Sequence, residues 1–201
     1  MSFLCGMSKR LLLSLLLAFC LLDSVRGESD FERLGDVLTL APVGVLIVSL
    51  GIGDYEGAVQ LVAGSLITQG TIEVIKRGFE FAHDRGANVG FAKRPCCEDY
   101  KGMPSGHAGG AFSAAGFVFY RYGWKPALPL IGLGILTDAS RVYADKHTIW
   151  QVLVGSAIAW GWAWVLTTPY KPRKVMLLPD VGVESGIAGG MRYGVSLSYV
   201  W

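Results

Sequence analysis

Histidine and charge are both in short supply in this chain of 201 residues. It has three histidines, and Asp, Glu, Lys and Arg together make up 17% of it, against 52% for hydrophobic residues. A soluble domain of this length normally carries more charge. The net charge of +2 leaves no basic footprint for nucleic acid, so no nucleic-acid partner is expected. Of the four cysteines, Cys5 and Cys20 fall near the amino terminus, and Phe19 stands where a lipidated cysteine would need a small residue before it. Cys96 and Cys97 are adjacent, which disfavours a bond between them, so they read as two loop cysteines open to pairing with another chain. No set of Cys and His has the spacing of a zinc site. No internal repeat stands out, and no paired interrupted helices of the kind transporters use are present.

What the chain does have is long apolar runs. Mean hydropathy is +0.43, and the runs make an integral membrane protein the natural class. Residues 1–27 read as a signal peptide or signal anchor, with Lys9 and Arg10 flanking an apolar core from Leu11 to Leu22 that favours cleavage over anchoring. Five apolar helical segments follow, over about 36–53, 57–76, 105–121, 126–144 and 149–168. Short connections force them to alternate across the membrane. The basic loops at 121–125 and 171–174 then lie on the cytoplasmic side, and the 77–104 loop and the 144–149 turn face the periplasm or exterior. The excess of Arg77, Arg85, Lys93, Arg94 and Lys101 on that exported side fits a phosphate-binding surface, partly cancelled by Glu80, Asp84, Glu98 and Asp99. The tail, 175–201, changes character: Met191 to Trp201 alternates as a strand does, which predicts a short hairpin or a frayed end.

Two of the three histidines close polar segments placed at the same membrane depth. Pro104-Ser105-Gly106-His107 opens a helix, and a helix start offers unpaired N–H groups and partial positive charge to an anion. Gly106 admits close approach to the backbone, Ser105 can cap the helix or bond an oxygen, and His107 can protonate a leaving oxygen. Arg141 lies six residues before His147. Its guanidinium fork suits two phosphoryl oxygens, and a histidine opposite it can attack phosphorus. Each segment also has a plain reading: a Ser-capped helix with an incidental histidine, or a snorkelling arginine before a polar turn. His83 reads as a solvated loop residue, the tryptophans at 150, 160, 162 and 164 as interface and packing residues, and Glu73 as a structural partner for Lys76 or Arg77.

Taken together these residues resemble the type 2 phosphatidic acid phosphatase (PAP2) family. The family's signatures are Lys, six residues, Arg-Pro; Pro-Ser-Gly-His; and Ser-Arg, five residues, His, three residues, Asp. Pro104 to His107 matches the second in full, and Ser140, Arg141 and His147 match the third at the correct spacing. The resemblance covers roughly residues 36–168. It implies an all-α polytopic helix bundle of about five transmembrane helices over 28–174. It also implies a mechanism without metal or other cofactor, with His147 as nucleophile and His107 as general acid. Phosphate would be held by Arg94, Ser105, Gly106, Ser140 and Arg141. Two positions depart from the pattern. Ala87 stands where the lysine belongs, leaving Lys76 or Lys93 to supply its charge, and Gln151 stands where an aspartate would orient His147. The Gln151 amide can still accept the imidazole N–H, and Asp145 is a second candidate for orienting the ring.

The expected activity is hydrolysis of a lipid phosphate or diphosphate at the outer face of an inner (plasma) membrane, the substrate being a polyprenyl diphosphate, a phosphatidyl phosphate or lipid A. The alternatives are a lipid phosphotransferase using the same site and a non-catalytic lipid-phosphate binding protein on the same scaffold. The lipid and the membrane are the only partners the sequence implies, and it leaves the oligomeric state open.

Overall fold

The computed structural model describes residues 30–171, 174–184 and 190–200. The leader expected over 1–27 lies outside these residues. The chain divides into a helical unit running to Pro169 and a small unit from Tyr170 onward. Among the described residues the helical unit holds six α-helices: α1 Asp30–Leu38, α2 Ala41–Gly51, α3 Tyr55–Asp84, α4 Gly106–Tyr122, α5 Trp124–Tyr143 and α6 Ile149–Leu166. A single 3₁₀ turn, Gly90–Ala92, lies in the α3–α4 connection. The small unit is an antiparallel hairpin of β1 Lys174–Glu184 and β2 Gly190–Val200, paired from Lys174↔Val200 to Glu184↔Gly190.

Local chemistry explains where the helices start and stop, including two departures from the expected segments. The first expected segment, 36–53, is two helices broken at Thr39 and Leu40. The second begins around Pro42, at a position where a missing N–H costs nothing. The second expected segment runs on past residue 76 to Asp84, a helix roughly 45 Å long at 1.5 Å per residue. Asp54 caps its start by accepting the Gly57 N–H at 3.0 Å, and Gly86, at φ +85°, follows its end. Gly123, at φ +97°, joins α4 to α5 with no intervening loop. Thr148 and Gln151 form a reciprocal capping box at the start of α6.

Helix α4 is the hub, packed against α3, α5 and α6. Its small residues permit the close approach. A side chain at Gly109 would meet Ile72 Cδ1 at 2.4 Å, and one at Gly116 would meet Ala163 Cβ at 2.8 Å. Val45, Leu61, Ala114, Phe117, Val118 and Ala127 form the main apolar cluster inside. The outside is apolar too: Ile47, Leu66, Val74, Ile135 and Trp164 are all exposed. Among the described residues three segments, Asp30–Gly51, Tyr55–Asp84 and Ile149–Leu166, are long and apolar enough to cross a membrane. Such an unpartnered apolar surface marks a membrane protein.

One end of the bundle is closed by a buried ion pair. Asp54 accepts from Arg121 Nε at 2.8 Å and from Arg121 Nη2, and Tyr122 Oη donates to it at 2.7 Å. Arg121 also donates to the Thr168 carbonyl at 2.9 Å, tying the ends of α4 and α6 to the start of α3. Burial alone would raise the Asp54 carboxyl, but the bonds from Arg121, Tyr122 and the Gly57 N–H outweigh it and hold it below the usual range. Arg121 therefore turns inward, where its charge meets Asp54 instead of adding to a basic surface loop.

The excess positive charge expected over 77–104, partly cancelled by acidic residues, is for the most part paired. Arg77 pairs with Glu73, Lys93 with Glu98, Arg94 with Asp99 and Lys101 with Glu80, while Arg85 stacks over Phe81 and His83 over Tyr100. Cys96 and Cys97 are disulfide-bonded to each other, against the expectation that adjacent cysteines stay apart. They sit inside a turn closed by the Arg94 N–H donating to the Asp99 carbonyl at 2.8 Å.

Candidate active site

The site lies at the end of the bundle opposite Arg121, where the starts of α4 and α6 meet the end of α5. His147 hangs from the turn between α5 and α6, its backbone N–H and that of Lys146 both donating to the Arg141 carbonyl. The imidazole is 4% exposed. Its Nδ1 lies 2.8 Å from the Gly102 carbonyl and 3.2 Å from Gln151 Oε1. Both partners are acceptors, so Nδ1 carries the proton and Nε2 keeps its lone pair.

Gln151 cannot be turned the other way round. Its Nε2 donates to the carbonyls of Phe91 and Lys93 at 3.0 and 2.9 Å, and its Oε1 also accepts the Thr148 N–H. The side chain is fully buried. Gly102 is fixed in the same knot, donating its N–H to the Ala92 carbonyl at 2.8 Å. A Cβ on Gly102 would stand 2.7 Å from that carbonyl and 2.8 Å from Gln151 Nε2, so only glycine fits here. Burial pushes His147 down to about 4. The nearby charges of Lys76 and Arg94 act in the same direction, and the bonds to Gln151 and Gly102 act against it. At neutral pH the ring is uncharged.

The start of α4 faces this ring. Ser105 is its N-cap, fully buried, its Oγ accepting the Ala108 N–H and its own N–H bonded to the Gln151 carbonyl at 2.9 Å. Gly155 lets α6 come this close, since a Cβ there would fall 2.3 Å from the Ser105 carbonyl. Among the described residues no protein acceptor takes the N–H of Gly106 or His107. Gln69 of α3 donates to the Gly106 carbonyl at 2.9 Å. Lys76, two turns before the end of α3, brings its Nζ to 3.6 Å from where a Gly106 side chain would begin. Its ammonium has no hydrogen-bond or ion-pair partner among the described residues, and its charge acts on both His107 and His147.

Arg141 completes the group from the last turn of α5. It is 3% exposed, and Ser140 Oγ, which donates to the Thr137 carbonyl, accepts its Nε at 3.3 Å. The Ser140 hydroxyl thus fixes the guanidinium and is itself out of solvent. The other Arg141 contacts come from α1: Nη1 reaches Asp36 Oδ1 at 2.7 Å and Nη2 reaches the Glu32 carbonyl. The same Asp36 oxygen lies 2.9 Å from His107 Nε2.

The structure therefore gathers His107, His147, Ser105, Gly106, Lys76, Arg94 and Arg141 at one place. Arg94 arrives on the loop that Gln151 pins, with Asp99 Oδ2 3.3 Å from its Nε. The eleven-residue displacement of Lys76 is absorbed because α3 continues past it and the loop folds back. Asp145 does not serve the ring. It adopts φ +52° at the turn, its side chain is exposed, and it has no hydrogen-bond or ion-pair partner among the described residues. Three residues escape a sequence reading: Gly102, which acts through its carbonyl, Gln69 and Asp36. No signal in the sequence separates Asp36 from other acidic residues near the amino terminus. Three cations and two open N–H groups are chemically suited to hold an anion such as a phosphoryl group, and the neutral imidazole beside them has a nitrogen with a bare lone pair.

The profile of the PAP2 superfamily matches residues 57–174. The chain is 56% identical over 196 residues to a lipid A 4′-phosphatase of Helicobacter pylori (strain J99), covering 96% of this chain and 98% of that protein. It is 31% identical over 119 residues to a lipid A 1-phosphatase of Helicobacter pylori (strain 26695), covering 59% and 61% of the two chains. No solved structure matches it.

Proposed function

Since the chain belongs to the PAP2 superfamily and is a membrane phosphatase of that type, we propose that it removes a phosphate monoester from lipid A, at the 4′-position, through a phosphohistidine on His147. The observation that carries this reading is the state of His147: Nδ1 donates to the Gly102 carbonyl and Gln151 Oε1, so Nε2 is uncharged and free to attack. The likeness to the 4′-phosphatase over nearly the whole of both chains supports the lipid and the position.

In the first step His147 Nε2 forms a bond to phosphorus while the P–O bond to the sugar breaks, and His107 gives the departing oxygen its proton. Arg141, Lys76, Arg94 and the N–H groups at the start of α4 stabilise the charge on the equatorial oxygens. The phosphorylated imidazole carries positive charge, which the Gly102 carbonyl and Gln151 amide dipoles face. In the second step His107 takes a proton from water, the water oxygen bonds to phosphorus, and the N–P bond breaks to release phosphate. The pinned loop and the buried amide of Gln151 speak for a working site with an altered partner. The site end of the bundle faces the periplasm, and Lys125, at the opposite end, lies on the cytoplasmic side. The leader over 1–27 directs export, and 175–201 is an appendage to the catalytic unit of 28–174.

The test is phosphate release by the purified full chain in detergent micelles supplied with lipid A, the product's remaining phosphate being located by mass spectrometry. Loss of the 4′-phosphate is expected, and His147→Ala abolishes it. Undiminished release by that variant removes His147 as the nucleophile, and loss of the 1-phosphate instead removes the positional reading.

A further inference from the structure

Asp36 stands outside both the matched family segment, which begins at residue 57, and the signatures read from the sequence. One of its carboxylate oxygens nevertheless joins two groups of the site, 2.9 Å from His107 Nε2 and 2.7 Å from Arg141 Nη1. The helix that carries it is seated firmly. A Cβ at Gly35 would fall 1.8 Å from Ser140 Oγ, so α1 lies as close to α5 as a glycine allows. Phe31 packs edge-on against Tyr143 at 5.7 Å, Glu32 Oε1 lies 3.4 Å from Lys146 Nζ, and the Glu32 carbonyl accepts from Arg141.

From this geometry we propose that Asp36 is a positioning residue for the phosphatase reaction, holding His107 in register with Arg141 and supplying the countercharge that its protonated form needs. The charged groups facing His107 are Asp36 from α1, Arg141 from α5 and Lys76 from α3. Burial and the two cations oppose the proton a general acid must carry, and among these groups of the described residues Asp36 is the anion set against them. His147, by contrast, is held by a carbonyl and an amide, a setting that favours the uncharged nucleophile. The two imidazoles are thus set apart by their partners: a carboxylate for the acid, neutral dipoles for the nucleophile.

The inference rests on the reading of His147 as nucleophile, so its test uses substrates that differ only in how much they need the acid. Asp36→Asn keeps the shape and removes the charge. With the full chain in micelles, kcat/KM for a long-chain alkyl phosphate, whose leaving oxygen must be protonated, falls about 100-fold. For p-nitrophenyl phosphate, whose leaving group departs as a stable anion, it falls by less than about tenfold, and phosphohistidine still forms from it. Equal losses on both substrates reduce Asp36 to a scaffold contact and overturn the proposal. So does a gain in turnover with tighter binding of inorganic phosphate, which makes the carboxylate an occupant of the phosphate position. If Asp36→Asn does not fold, Asp36→Ala assayed with added formate decides: regained turnover of the alkyl phosphate supports the role, and none overturns it. Wild-type protein that traps no phosphoryl group on His147 overturns the earlier reading of the nucleophile, a result separate from all of these.

Discussion

Replacing Gln151 by Glu changes one group, the amide nitrogen, and leaves the length of the side chain intact. That nitrogen donates to the carbonyls of Phe91 and Lys93 at 3.0 and 2.9 Å, in a residue that is fully buried. The glutamate turns an oxygen toward two carbonyls that have lost their donor. Each buried group left unpaired costs about 1–3 kcal/mol, and the charges of Lys76 and Arg94 close by offset part of the sum. The expected loss at neutral pH is about 2–4 kcal/mol, or a fall in melting temperature of roughly 5–15 °C for a chain of this size. The loss shrinks on acidification, because a protonated carboxyl regains one donor. Catalysis suffers as well, by at least about tenfold, since the released 91–94 segment carries Arg94 and adjoins Gly102, the acceptor for His147. Gln151→Asp, which restores the family's carboxylate, fails for the same reason and leaves an additional gap. Thermal unfolding in detergent micelles beside phosphate release measures both effects. If either variant is as stable as the wild type and turns over as fast or faster, the hydrogen-bond reasoning is refuted and Gln151 is a passive replacement.

Two further outcomes are expected. His147, held near 4 by burial, stays neutral down to that pH, whereas an unfolded chain takes up its proton near 6.5. The unfolded state therefore binds more protons between these values, and stability falls as pH drops through that window, by about 3 kcal/mol in all. Melting curves of the wild type and His147→Gln across the window measure the difference, and identical slopes refute the assignment. At the far end of the bundle, Asp54→Asn removes the buried carboxylate that Arg121 bonds through Nε and Nη2, while Glu56 Oε2 stays 3.6 Å from Nη2, a loss of about 3 kcal/mol. Phosphate release per folded molecule is unchanged, because no site residue touches this cluster; a matching loss of turnover there contradicts the separation of the two ends.

The residues with the strongest chemical requirements are legible in one dimension. A nucleophilic ring, an acid and an arginine fork must each have a particular identity, and Pro104 to His107 and Ser140 to His147 keep the spacing set by a helix start and a short turn. The apolar runs likewise point to a membrane helix bundle, because low charge and apolar residues gathered into helix-length runs make that the natural class. What tertiary structure decided are the partnerships between distant segments. Lys76 looks out of register until α3 runs on past it, and Gln151 looks like a loss until its amide is seen to pin the Phe91–Lys93 carbonyls while holding His147. Gly102 acts through a backbone carbonyl, which every residue possesses and no side chain announces. Asp36 reaches His107 and Arg141 only because a glycine lets α1 lie against α5. Sequence determines which groups are available for the chemistry, whereas the pairing of each acceptor with its donor depends on distances that only the packed chain sets.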